Sequence, residues 1–104
     1  MLITPKELNV SIKNNDKLVV LDIREAYERE ICKIDSIHIP MGSLSIRVSE
    51  LPEDKMIVVL CKSGRRAAAV ANLLLTEYSF NDVKILDGGI LAWILDIDSN
   101  LNSY

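Results

Sequence analysis

Two short runs, Leu18-Val19-Val20-Leu21 and Met56-Ile57-Val58-Val59-Leu60, are apolar at every position and rich in β-branched side chains. A strand with one wet face alternates apolar and polar residues. A strand with no polar position has to be covered on both faces, which is the situation inside a parallel sheet. Parallel neighbours need crossover connections, and the remaining sequence supplies them. Ala26 to Glu30, Leu44 to Leu51 (stopped by Pro52), Arg66 to Tyr78 and Ile90 to Ile97 read as helices, and Ser36-Ile37-His38-Ile39 and Val83-Lys84-Ile85-Leu86 as further strands. Thr4-Pro5-Lys6-Glu7 reads as a capping box with Pro at the first helical position and predicts a short helix ending near Asn14-Asn15. Strand and helix alternate, which gives an α/β fold with helices on both faces of the sheet and active residues in loops at the carboxyl ends of strands.

No repeat or low-complexity tract interrupts the 104 residues, and the prolines and glycines sit between apolar runs rather than clustering as a linker. One domain over residues 1–104 is expected, held by its core without disulfide or metal. Fifteen acidic against twelve basic residues, a net charge of -3, leave no electrostatic footprint for nucleic acid. Cys32 and Cys61 are too few for a disulfide framework, and with His38 they fall short of a four-ligand zinc site, so no metal or other cofactor is expected. No stretch approaches the roughly 20 apolar residues of a membrane span. Met1 to Glu7 carries no basic leader ahead of an apolar stretch, and the expectation is a soluble, cytoplasmic protein with reduced thiols.

The residue pattern with most chemical content follows the second apolar run. Cys61 directly continues that strand, and Lys62-Ser63-Gly64-Arg65-Arg66 leads into a helix whose Ala67, Ala68, Ala69, Val70, Ala71, Leu73, Leu74 and Leu75 leave almost no polar face, predicting that it is largely buried. A thiol reacts as thiolate, and a helix N-terminus with nearby cations favours that anion. Lys62, Arg65 and Arg66 put three positive charges into a six-residue stretch of an acidic chain. Gly64 can adopt positive φ, which lets successive backbone N–H groups converge on an anion. The alternative is a packing role, since a free Cys ending a core strand is ordinarily one more small apolar residue. The basic, glycine-containing helix start favours the reactive reading.

Four segments together resemble the rhodanese family of sulfurtransferases. Leu21-Asp22-Ile23-Arg24-Glu25 is similar to its early Asp-x-Arg-Glu segment, and Ser36-Ile37-His38-Ile39-Pro40 to its Ile-Pro strand. Cys61 to Arg66 is similar to its six-residue active loop, and Leu86-Asp87-Gly88-Gly89-Ile90-Leu91-Ala92-Trp93 to its Gly-Gly and Ala-Trp signature. The resemblance implies a five-stranded, mostly parallel sheet flanked by helices on both faces. It also implies a Cys61 nucleophile that carries sulfur as a persulfide, with the amides of Lys62, Ser63, Gly64, Arg65 and Arg66 binding the charged group. The donor would be a small molecule such as thiosulfate and the acceptor cyanide, a thiol or a sulfur-carrier protein. A basic residue after the Cys goes with thiosulfate in the family, and Gly then Ser with mercaptopyruvate; Lys62-Ser63 leans to thiosulfate.

Two rival functions share these loop features. Protein phosphatases and arsenate reductases resemble the loop but place Arg six positions after the Cys, where this chain has Ala67. A non-catalytic binding or regulatory module is the other, although such domains usually lose the loop cysteine. Arg65 or Arg66 is expected to stabilise the Cys61 thiolate. Asp22, after an apolar strand, needs a buried partner. Arg24 either faces the active loop or holds the turn by pairing with Asp22 or Glu25, and structural support is the preferred role. Cys32, with no glycine-rich loop of its own, reads as a packing residue, with resolution of the Cys61 persulfide as a disulfide the alternative. His38, between two isoleucines, reads as a strand residue rather than a base, Asp87-Gly88-Gly89 as a tight turn, and Trp93 as core.

Overall fold

The computed structural model describes residues 1–104. Five strands, β1 (Leu2–Ile3), β2 (Leu18–Asp22), β3 (Ile37–His38), β4 (Met56–Leu60) and β5 (Val83–Leu86), form one sheet in the order β1-β5-β4-β2-β3. Every pairing is parallel. The two all-apolar runs are the adjacent central strands β2 and β4, in register from Leu18 opposite Met56 to Asp22 opposite Leu60. The fifth strand is β1, two residues too short and too close to the chain start to carry a period-2 signal.

Alternation along the strands sorts the core into two layers. Leu21, Ile57, Val59, Cys61, Val83 and Ile85 belong to one cluster, and Val20, Val58, Leu60 and Leu86 to the other. Helices α3 (Leu44–Arg47) and α4 (Arg65–Thr76) cover the first, while α1 (Pro5–Lys13) and α5 (Gly89–Asp96) cover the second with Ile31 and Cys32 from the end of α2 (Ala26–Ile31). Both faces are thus apolar, as continuous hydrophobic strands require. Trp93 packs in the second cluster. No helix is long and apolar enough to cross a membrane.

Local signals place several boundaries. The Thr4 hydroxyl accepts from the Glu7 amide at 3.1 Å and the Glu7 carboxylate from the Thr4 amide at 2.9 Å, starting α1 at Pro5. Two helical expectations need correction. Leu44 to Leu51 holds only four α-helical residues, continued as a 3₁₀ turn over Val48–Glu50 that an Arg47 to Glu50 ion pair at 2.8 Å tightens. Helix α4 is covered on one face rather than largely buried: Ala67, Val70, Ala71 and Leu74 pack on the sheet, while Ala68, Ala69 and Leu73 face out. A methyl group is small enough to be left in water at little cost, so a run of alanines fixes helix formation without fixing orientation.

Candidate active site

The sheet runs outward from β2 and β4, with chain connections leaving in opposite directions, so the carboxyl ends of these two strands define its crevice. Cys61 follows β4 at that point. The Ile23 amide donates to the Leu60 carbonyl at 3.1 Å, and the segment after β2 thereby lies alongside the start of the Cys61 loop.

The loop curls around the sulfur. Cys61 Sγ accepts from the Gly64 amide at 3.0 Å and from the Ala67 amide at 3.4 Å. Gly64, with φ of 105°, is the N-cap of α4, so both donors belong to the unpaired amides of a helix N-terminus. The loop's carbonyls point the other way: Ile90 donates to the Cys61 carbonyl at 2.9 Å and Leu91 to the Lys62 carbonyl at 3.2 Å. The first turn of α5 therefore holds the outer side of the loop while the first turn of α4 supplies its inner side. Gly89 makes this possible. It has φ of 64°, and any Cβ there would strike the Lys62 carbonyl.

The Cys61 residue is only 1% exposed. One surface cleft is bordered by Val48, Glu53 and Phe80 and another by Ile12, Asp35 and Ile37, both away from the Cys61 loop. The sulfur is thus buried, with the Gly64 and Ala67 amides directed at it.

The two loop arginines part company. Arg65 is exposed and in no ion pair. Arg66 makes a two-pronged bond to Glu28, 2.8 Å on each prong, so a carboxylate of α2 already balances its charge. Glu28, 3% exposed, also accepts from the Glu25 amide and the Tyr104 hydroxyl, each at 2.8 Å. Arg66 foremost holds the Glu28 carboxyl down to about 2, from an ordinary 4.5, against the opposing effect of burial; the Glu25 amide and the Tyr104 hydroxyl add to the lowering. A depressed folded-state value means stability that is present above about pH 4.5 and lost as pH falls toward 2, about 2 kcal/mol once solvent access to Arg66 is allowed for. Glu28→Gln is accordingly expected to flatten the loss of stability over that window in denaturant titrations; a slope equal to wild type would exclude the pair as an acid-sensitive support.

Asp22 and Arg24 do not face the sulfur. Arg24 is fully buried and donates to Asp22 from Nε at 3.0 Å and from Nη2 at 2.9 Å, with its remaining N–H groups on the Cys32 and Glu28 carbonyls and on the Tyr104 hydroxyl. Burial opposes its charge, but the Asp22 and Tyr104 contacts outweigh that effect and raise its pKa. His38 Nε2 lies 2.7 Å from the Arg24 carbonyl and donates to it, fixing the turn from β3. Arg29 adds a second cation on Asp22 at 3.1 Å.

Cys32 is buried, and the Arg24 guanidinium lies against its sulfur at 3.8 Å, so its neighbourhood is not free of positive charge. Cys32 and Cys61 are both free and belong to core clusters on opposite faces of the sheet, which removes the disulfide-resolving alternative.

Sequence reasoning missed three contributors: the Ala67 amide, the Glu28 carboxylate and Tyr104. Only Glu28 had an available signal, at the N3 position of a capping box with Glu25. Tyr104 lies 76 residues from Glu28 and 80 from Arg24 along the chain, beyond any local pattern.

These features define an α/β protein in which a cysteine sulfur is held by main-chain amides where a parallel strand meets a helix. The chain belongs to the rhodanese-like domain family, whose model matches residues 4–96. It is 32% identical over 92 residues to a sulfurtransferase of Allochromatium vinosum, an overlap of 88% of this chain and 85% of that protein. It is also 32% identical over 105 residues to MoeZ of Mycobacterium tuberculosis, described as a probable adenylyltransferase/sulfurtransferase; the match takes in 98% of this chain but only 26% of MoeZ. Among solved structures, a rhodanese-related protein of Thermoplasma volcanium superposes with a TM-score of 0.80 at 34% identity, covering 92% of both chains.

Proposed function

We propose that the protein is a thiosulfate sulfurtransferase that carries sulfane sulfur on Cys61. The observation that carries this reading is the convergence of the Gly64 and Ala67 amides on Cys61 Sγ at the start of α4. Amides so placed favour negative charge on the sulfur before reaction and on the terminal persulfide sulfur after it. The thiolate attacks the outer sulfur of thiosulfate, a new S–S bond forms, and the old one breaks with its electron pair leaving on sulfite. Attack on the terminal sulfur by cyanide or a thiol then forms the product and returns the pair to Cys61, in a ping-pong cycle. A sulfur-carrier protein fits the acceptor role equally well, since the second half-reaction asks only for a nucleophile that can reach the loop.

The state of Arg66 argues against phosphoryl chemistry. A guanidinium committed to Glu28 on both prongs is not available to embrace the oxygens of a phosphate. The loop offers amides instead.

Intact mass after incubation with thiosulfate tests the reading. One added sulfur atom, mapped to Cys61 and released by cyanide, is the expected result; an unchanged mass would leave a binding module as the better description. Lys62 follows Cys61 directly and its ammonium can pair with a sulfonate oxygen of the donor, so Lys62→Ala is expected to raise KM for thiosulfate about three- to tenfold with kcat little changed. An unaltered KM would remove Lys62 from donor binding.

A further inference from the structure

Tyr104 is the one aromatic side chain that joins both charged clusters behind the loop. Its hydroxyl accepts from Arg24 Nη1 at 3.1 Å and donates to Glu28 Oε1 at 2.8 Å, while its ring packs on the core layer that contains Cys32 and Trp93. Burial foremost pushes the phenol up to about 12, so it stays protonated and can donate and accept at once. The ring has a second contact. Lys62 Nζ lies over its face, 4.5 Å from the centroid, well within the range of a cation–π interaction. Lys62 immediately follows Cys61 and is half-buried, so its ammonium is seated on a fixed aromatic surface rather than free in water.

We propose that Tyr104 is a positioning residue for the sulfur donor: its ring seats the ammonium of Lys62, the residue that follows Cys61, and its hydroxyl, held between Arg24 and Glu28, fixes the ring. The inference rests on the sulfurtransferase reading of Cys61 and assigns to that site a determinant of affinity for an anionic donor. A lysine has four rotatable side-chain bonds and loses much of its freedom when it binds an anion. Seating it beforehand removes part of that entropic cost and keeps the charge near the loop in the absence of donor. No acidic side chain takes part in an ion pair with Lys62, so the ring holds the ammonium without neutralising it.

Two measurements separate the contact from its consequence. In proton NMR spectra of the full chain, the ε-methylene protons of Lys62 are expected upfield in wild type and in Tyr104→Phe, from the ring current, and at ordinary positions in Tyr104→Leu. In steady-state assays Tyr104→Leu is expected to raise KM for thiosulfate about two- to fivefold, the factor carried by an exposed cation–π contact, with kcat unchanged. Tyr104→Phe keeps the ring and loses the hydroxyl bonds, so its Tm falls while KM moves less. In a Lys62→Met background, Tyr104→Leu should change KM no further, a coupling that a purely structural role would not produce. Equal KM effects of Tyr104→Leu with and without Lys62 would overturn the proposal, as would a wild-type protein that acquires sulfur but shows no ring-current shift. If the shift is present and wild type acquires no sulfur from thiosulfate, the sulfurtransferase reading fails and takes the donor role of Tyr104 with it.

Discussion

Cys61→Ser is expected to lower sulfur transfer by at least about three orders of magnitude while leaving the fold in place. The side chains differ little in size, and the Gly64 amide that donates to the sulfur at 3.0 Å can donate to a serine oxygen in the same place. Burying that hydroxyl with a partner costs about 1 kcal/mol, far less than burying it alone. Chemistry is another matter. An alcohol does not ionise near neutral pH, and its oxygen cannot take the outer sulfur of a donor into a stable, exchangeable S–S bond. Mass spectrometry after thiosulfate treatment should therefore show added sulfur on wild type and none on the variant, with matching circular dichroism and Tm. Sulfur recovered on Cys32 in the Cys61→Ser protein would relocate the carrier to the other layer of the core and defeat the assignment.

The second large effect is expected at a position that takes no part in the reaction. Gly89→Ala should destabilise the protein by about 2–4 kcal/mol and remove transfer even well below Tm. A Cβ at Gly89 strikes the Lys62 carbonyl and would lie 2.6 Å from the Cys61 carbonyl, and the residue already has φ of 64°, which an L side chain adopts with strain. The clash falls on backbone on both sides, so no flexible side chain can move aside. Those two carbonyls are the ones held by the Ile90 and Leu91 amides, and displacing them shifts the Cys61 to Ser63 backbone that leads into the Gly64 amide on the sulfur. Gly42→Ala is the control, since nothing lies within 4 Å of a Cβ built there. Thermal unfolding and single-turnover sulfur loading on both variants check the prediction. A Gly89→Ala protein with wild-type Tm and rate would show that α5 does not hold the loop.

Cys61 is legible in the sequence, whereas the contact of Gly89 with the loop is not. The central strands were readable because an apolar run with no polar position has one stable environment, and the β2 and β4 pair occupies it. The start of α1 was readable because Thr4, Pro5 and Glu7 act on amides within one turn. The strand, cysteine, basic loop and helix follow one another without interruption, so the location of the sulfur at the mouth of α4 was also a local fact. The helix expected over Leu44 to Leu51 failed for a related reason. A stretch of mixed apolar and polar residues is compatible with α and 3₁₀ turns alike, and the packing of Leu44 and Leu51 into the core decides where each begins.

The charged residues illustrate the opposite case. Lys62, Arg65 and Arg66 look equivalent as a cluster of positive charge, yet one is seated on an aromatic ring, one is exposed, and one is tied to a carboxylate 38 residues away. A charge reveals nothing in sequence about its partner, because Coulombic and hydrogen-bonding partners are set by where separate elements come to rest.

Sequence alone determined the α/β architecture, the parallel centre of the sheet and the placing of Cys61 where a strand gives way to a helix, since each depends on neighbours a few residues apart. Only the tertiary structure decided which amides reach the sulfur, that α5 braces the loop through Gly89, and that Tyr104 and Glu28 sort the surrounding cations. These depend on contacts between segments far apart in the chain, whose energies are realised only when the sheet and its two helical layers have brought them within bonding distance.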